Sequence, residues 1–289
     1  TVRHLIIVIV LVLYTVFGAP HADADSAPPA ERQFKLGGYD RALLDADRLD
    51  IEISFQLVVN EILESLNAYT VFSVFATFEE TQRRFASGEV DGTFCAITAC
   101  PQMLDFDTGL PMYAFLYDGQ PRQEYVLVTT ATESSKTLTD LRRKTLSVPI
   151  GYELGEHIAD RLVLSEFGES ASRFFAQTVY PDSSQTALID LVFGKVDAVV
   201  VTQHELDVAI ELNPQIESST RTLYISPPVV VNLMVISPKA TADAIELFDY
   251  VVDNFSEYQQ SRFILELYGA DGVTRVTPQD VTPTLQFVQ

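Results

Sequence analysis

Hydrophobic positions fall into two recurring patterns along the chain. Short runs rich in β-branched or continuously apolar residues, as expected of strands buried on both faces, occupy residues 33–39, 69–75, the stretch from Asp91 to Thr98, 112–117, 123–130, 145–150, 174–179, the stretch from Asp197 to Thr202, 220–226 and 229–237. Between them lie segments with helical spacing. The first runs over about 53–66 and predicts a core face of Ile53, Leu57, Val58, Ile62, Leu63 and Leu66. Further helices are predicted from Glu79 to the joint at Gly88, at 137–144, from Gly155 to about Phe167, from Ser184 to Gly194, and at 204–212, 240–258 and 261–268. The tail after Gly269 reads as irregular.

One junction occurs twice. Phe85-Ala-Ser-Gly88-Glu-Val-Asp91 and Leu191-Val-Phe-Gly194-Lys-Val-Asp197 each end an amphipathic helix on Gly, then pass through one charged residue, Val and Asp into a strand. Glycine accepts the left-handed conformation that terminates a helix. The repeat alone also fits the glycine-ended αβ turns of any α/β domain; with the alternating strands and helices it predicts two α/β lobes of one design, each a mixed, mostly parallel sheet flanked by helices, with two crossing strands as the hinge. The expected division is 33–118 with 232–289 for the first lobe and 119–231 for the second, with hinge segments near 118–125 and 226–232. Ligands of such folds sit beyond the carboxyl ends of the strands, which places the expected site between the lobes.

The N-terminus reads differently. Arg3 and His4 precede an apolar run from Leu5 to Phe17, and Ala22-Asp23-Ala24 offers the small residues that a signal peptidase reads, so residues 1–24 are expected to be a cleaved secretory signal and 25–32 a disordered leader. The run is too short for a bilayer span, which takes about twenty residues. The net charge of −21 repels nucleic acid and anionic lipid, which removes both as expected partners.

Cys95 and Cys100 are the only cysteines. Five positions apart and on no common zinc spacing, they fit either a small disulfide loop in an oxidising compartment or two buried apolar side chains. No Gly-x-Ser-x-Gly, phosphate loop or Gly-x-Gly-x-x-Gly pattern is present, so hydrolytic and nucleotide-dependent activity lack their usual signatures. No cofactor or metal is expected. His157, four residues after Glu153, fits a proton-transfer or two-ligand pair, or simply a solvated helix face.

Candidate cleft residues follow from the strand ends. Tyr39 ends the first strand and Thr98 the third. Tyr125, Thr129 and Thr130 lie on or just after the crossing strand. The helix N-termini at Tyr152–Gly155 and at Ser183–Gln185 offer unpaired N–H donors and partial positive charge suited to a carboxylate, phosphate or phosphonate, or else are ordinarily capped by Asp182 or Ser183.

The secretion signal, Phe85–Asp91, Tyr125-Val-Leu-Val-Thr-Thr130, Leu138-Thr-Asp-Leu-Arg-Arg-Lys-Thr-Leu-Ser-Val148 and Phe193-Gly-Lys-Val-Asp-Ala198 together resemble the type II, Venus-flytrap class of periplasmic solute-binding proteins, specifically the phosphate/phosphite/phosphonate-type binding proteins of ABC transporters. The resemblance covers roughly 33–270. It implies a monomeric periplasmic protein that captures a small anionic or polar solute between its lobes and delivers it to an ABC permease. Two other outputs on the same scaffold are a ligand sensor docked on a membrane signalling protein and an enzyme using Glu153. The chain departs from the family's ligand pattern at three places. Glu153 follows Tyr152 where hydroxyls and glycine are usual; Ser183 and Ser184 remain where Gly-Ser-His is common; and Thr202 stands where an acidic residue often follows the strand.

Overall fold

The structure is a computed structural model and describes residues 32–39, 48–104, 106–132 and 135–288. The expected signal sequence and nearly all of the leader lie outside the described residues. The strands in chain order are β1 (Arg32–Tyr39), β2 (Ala68–Phe75), β3 (Gly92–Ala96), β4 (Met112–Leu116), β5 (Tyr125–Thr130), β6 (Thr145–Ser147), β7 (Gln177–Val179), β8 (Ala198–Thr202), β9 (Thr220–Ile225), β10 (Asn232–Ile236) and β11 (Gly272–Val276). The helices are α1 (Arg48–Leu63), α2 (Phe78–Ser87), α3 (Glu153–Phe167), α4 (Ala171–Phe174), α5 (Ser184–Val192), α6 (Gln203–Leu212), α7 (Gln215–Ser219), α8 (Ala242–Asn254), α9 (Gln259–Leu267) and α10 (Pro278–Val288).

Two sheets carry the fold, in the orders β2-β1-β3-β10-β4-β11 and β7-β6-β8-β5-β9. The orders share one plan: second strand, first, third, a strand arriving from the other sheet, fourth. The inserted strand is antiparallel to its third-strand neighbour in both cases, β10 against β3 and β5 against β8, while the first three strands run parallel. β11 extends the first sheet at its edge.

The duplicated junction is the same device in both sheets. Gly88 and Gly194 sit at φ 79° and 68°, and the following Val90 and Val196 are buried. The Asp then pairs with the residue before the point where first and third strands meet. Asp91 accepts the Lys35 N–H on Oδ2 at 2.7 Å and donates its own N–H to the Lys35 carbonyl at 2.8 Å. Asp197 does the same with Thr145, at 2.9 and 3.0 Å. A carboxylate thus completes the parallel ladder one residue before β3 and β8 begin, satisfying an amide that the strand itself leaves unpaired.

Apolar packing has three parts. Phe34, Val58, Ile62 and Phe248 belong to a cluster on one face of the first sheet, and Val128, Leu188, Leu191 and Val199 to one on a face of the second. The third cluster takes in the remaining faces of both sheets, from Cys95 and Val235 through Val281 and Leu285 of α10 to Leu154 and Ile158 of α3.

Three expectations are corrected. α1 begins at Arg48, and its seam runs through Phe55, Val58, Val59, Ile62 and Leu63; Ile53 and Leu57 are 43 % and 60 % exposed. Apolar residues lie on more than one side of this helix, so spacing alone did not identify the buried side. The expected strand at 174–179 is only Gln177–Val179, because Ala171–Phe174 forms a helical turn that buries Phe174. The tail after Gly269 is regular: β11 and α10 follow, with Thr277 donating its N–H and hydroxyl to Asp280 at the start of α10.

Candidate functional site

Strand direction fixes the edge at which the two crossings join the sheets. β4 leads through residues 117–124 into β5, and β9 leads through residues 226–231 into β10. Those crossings leave from the edge where β1, β2 and β3 end in one sheet and β6, β7 and β8 end in the other. The crossings are tied together by a reciprocal backbone pair, Gln123 with Val229, at 2.8 Å in both directions. Tyr117 and Gln120 close a tight turn on the first crossing, with Asp118 and Gly119 in the left-handed region.

Besides α1, four helices start at this edge. Three are capped by their own hydroxyls: Thr77 accepts the Glu80 N–H, Ser183 the Thr186 N–H and Thr202 the Glu205 N–H. The fourth, α3, has Tyr152 at its N-cap, and that side chain makes no capping bond. A helix N-terminus leaves up to four N–H groups without intrahelical partners and carries roughly half a positive charge. Gly155 keeps the first turn close to the sheet, since a Cβ there would lie 3.3 Å from Cγ1 of Val200.

Tyr152 instead turns its hydroxyl to Glu205 Oε1, while Oε2 of the same carboxylate accepts the N–H and hydroxyl of Thr202 at 3.0 and 2.9 Å. The Tyr152 ring meets Tyr125 edge-on at 6.3 Å. Burial, reinforced by the Glu205 charge, pushes the Tyr125 and Tyr152 phenols well above the usual tyrosine range. Tyr117 is pushed up to about 12, mainly by burial, with its Gln123 and Asn232 hydrogen bonds working the other way. Glu205 was missed by the sequence reading, although Thr202-x-x-Glu205 spells a capping box.

The other expected residues divide by position. Tyr39 is the buried last residue of β1, its ring edge-on to Phe78 at 5.4 Å. Thr98 lies two residues beyond β3, and its hydroxyl oxygen is buried with no hydrogen-bond partner among the described residues. Cys95 and Cys100 are joined, S–S 1.92 Å, and their bond closes the turn that carries Thr98. Ser183 is the exposed cap of α5, Ser184 its half-buried first residue, and Glu153 the exposed first residue of α3. Thr129 and Thr130 are not at this edge. β5 enters antiparallel to β8, so Tyr125 pairs with Thr202 while Thr129 pairs with Ala198, at the other end of the strand. Four residues of strand carry Thr129 about 13 Å from Tyr125. Its hydroxyl is spent on the Asp197 carbonyl at 2.7 Å, and that of Thr130 meets Thr132.

His157 does not pair with Glu153; its Nε2 meets the Val288 carbonyl at the end of α10. His204 Nδ1 contacts Asp118 Oδ2 at 3.0 Å. Among the described residues no group of three or more His, Cys, Asp or Glu could hold a metal ion.

Residues 44–281 match the family model described as ABC transporter, phosphonate, periplasmic substrate-binding protein. Among solved structures, XAC2383 from Xanthomonas citri, seen bound to chloride and to ATP, is 13 % identical, with 90 % of this chain and 98 % of that chain covered and a TM-score of 0.63. PhnD1 from Prochlorococcus marinus, in complex with methylphosphonate, is 13 % identical over 89 % and 97 % of the two chains, with a TM-score of 0.59. A binding-protein component of an ABC phosphonate transporter from Pseudomonas aeruginosa is 10 % identical over 89 % and 85 %, with a TM-score of 0.58. At these identities the likeness is one of fold. No curated protein matched the chain.

Proposed function

The chain belongs to the periplasmic substrate-binding family of ABC phosphonate transporters, and on that premise we propose that it closes on a small anionic or polar solute held between the two sheet edges. Family membership makes it a periplasmic solute-binding component whose partner is an ABC permease. The observation that carries the choice of solute is the N-terminus of α3, which starts at the facing edge without a side-chain cap. Its first N–H groups, from Glu153 to Gly155, are the donors offered to the solute, with Tyr152 beside them. The Glu153 carboxylate, exposed at the start of α3, disfavours a ligand of high negative charge, so singly charged or polar solutes fit best.

The remaining contacts are assigned to Tyr39 and Thr98 from the first sheet and Ser183, Ser184 and Thr202 from the second. The buried Thr98 hydroxyl supports this, because an unpaired buried hydroxyl costs free energy that a solute acceptor would recover. Tyr125, 3 % exposed, acts from behind by holding Tyr152. Closure would be a hinge motion about segments 118–125 and 226–232 between lobes 33–118 with 232–289 and 119–231, in a monomer released from a signal sequence at 1–24.

A thermal-shift screen against methylphosphonate, phosphate, phosphite, methanesulfonate, acetate and amino acids tests the reading. A ligand at a hundred times its Kd adds about 2.7 kcal/mol to the folded state. A stabilising shift with a singly charged or polar compound is expected; a flat response to the whole panel would count against it.

A further inference from the structure

The C-terminal helix α10 contacts both crossings and α3. At its start, Asp280 Oδ1 accepts from Arg122 on the first crossing at 3.1 Å, while Oδ2 caps the helix through Thr277. One turn on, the buried Thr284 hydroxyl accepts the Val230 N–H of the second crossing at 2.9 Å. At its end, the Val288 carbonyl meets His157 on α3. Val281, Leu285 and Val288 are buried in the apolar cluster that joins Leu233 and Val235 of the first sheet to Leu154 and Ile158 of α3. The helix follows directly from β11 of the first sheet, yet its last turn packs on α3, which flanks the second.

We propose that α10 is a strap across the hinge that positions α3 against the first sheet and limits how far the edges separate. Covalently it belongs to the first sheet through β11, and by packing it belongs also to the second. Opening must therefore either slide α10 over one of the sheets or break the Thr284 and His157 contacts. Interlocked cores move between discrete arrangements more readily than they stretch. Because α3 carries the N–H donors assigned to the solute, the strap also sets the spacing between those donors and Thr98. That consequence rests on the cleft reading above; the strap itself does not.

The test uses pulsed electron–electron distance measurement between nitroxides at Glu79→Cys and Gln185→Cys, exposed positions in the first turns of α2 and α5 at the facing edges. Both native cysteines are in the disulfide, so only the introduced thiols react. In the solute-free protein, the chain ended at Thr277 is expected to give a longer mean distance and a broader distribution than the full chain. The Arg122→Gln/Thr284→Val double variant, which leaves the apolar residues of α10 in place, should shift in the same direction by a smaller amount. A folded truncated chain with the distribution of the full chain overturns the proposal. Should the truncated chain not fold, an unchanged distribution in the double variant overturns it. Wider distances in a protein that binds nothing in the solute panel would uphold the strap and reject the solute reading. Unchanged distances with solute binding intact would do the reverse.

Discussion

If the repeated Gly-x-Val-Asp junction holds each third strand in place, removing its carboxylate should cost about the same in either sheet. In Asp197→Ala the Thr145 amide loses an acceptor at 2.9 Å, and in Asp91→Ala the Lys35 amide loses one at 2.7 Å. A hydrogen bond to a charged group is worth about 1.5–3 kcal/mol. Asp197 also approaches Lys144 at 3.5 Å, but both side chains are more than a third exposed, so that pair adds little. We expect each variant to lose about 2 kcal/mol, or roughly 4–8 °C in Tm for a chain of this size. Urea unfolding followed by circular dichroism should show a lower midpoint with an unchanged slope. The Asn variants keep an acceptor and should lose less than half as much. The two sites share no partner, so the double variant should lose the sum. An Asp197→Ala variant within about 0.5 kcal/mol of wild type, the range of an ordinary surface change, or an Asn variant as damaging as Ala, would rule out this role for the carboxylate.

The glycines of the same junction should separate. Gly194→Ala bears only the left-handed backbone cost of about 1–2 kcal/mol, because a Cβ there meets nothing within 4 Å, whereas Gly88→Ala also drives a Cβ to 2.9 Å from Lys239 Cβ and should be the worse in a melting experiment. Thr98→Val removes a hydroxyl with no partner, so it should leave the solute-free melting temperature unchanged or raised while weakening solute binding in calorimetry. Tyr117, Tyr125 and Tyr152 have folded-state pKa values raised above the unfolded value near 10. Their stabilisation is complete below about pH 10 and is lost as the pH climbs beyond it, since the unfolded phenols ionise first. A denaturation series from pH 8 to 12 should show stability falling above about pH 10, less steeply in Tyr152→Phe.

The parts of the fold legible in the sequence are those governed by local rules. A glycine that must be left-handed, a valine that must be buried and an aspartate that meets a backbone amide are fixed within a few residues, so the junction at 88–91 and 194–197 announced both sheets. The edge at which the helices start followed, because parallel strands put their helix N-termini at their carboxyl ends. What depended on partners distant in sequence was not legible. The direction of β5 is set by insertion between β8 and β9, and that direction moves Thr129 away from the edge while keeping Tyr125 on it. The buried side of α1 is chosen by the sheet beneath it. α10 carries Pro283 inside a short helix, a residue that costs helix stability, and its formation rests on packing against both sheets. Glu205 was within reach of a local rule, since its capping box is written in four consecutive residues. Its link to Tyr152, 53 positions away, was not.

One solute should be held at once by both edges. Hydrogen exchange read by mass spectrometry, with and without the strongest stabiliser from the solute panel, tests it directly. Exchange should slow jointly at residues 96–99 in the first sheet's edge and at 152–156 and 183–187 in the second's. Slowing confined to one edge, or to surfaces away from both, would contradict it.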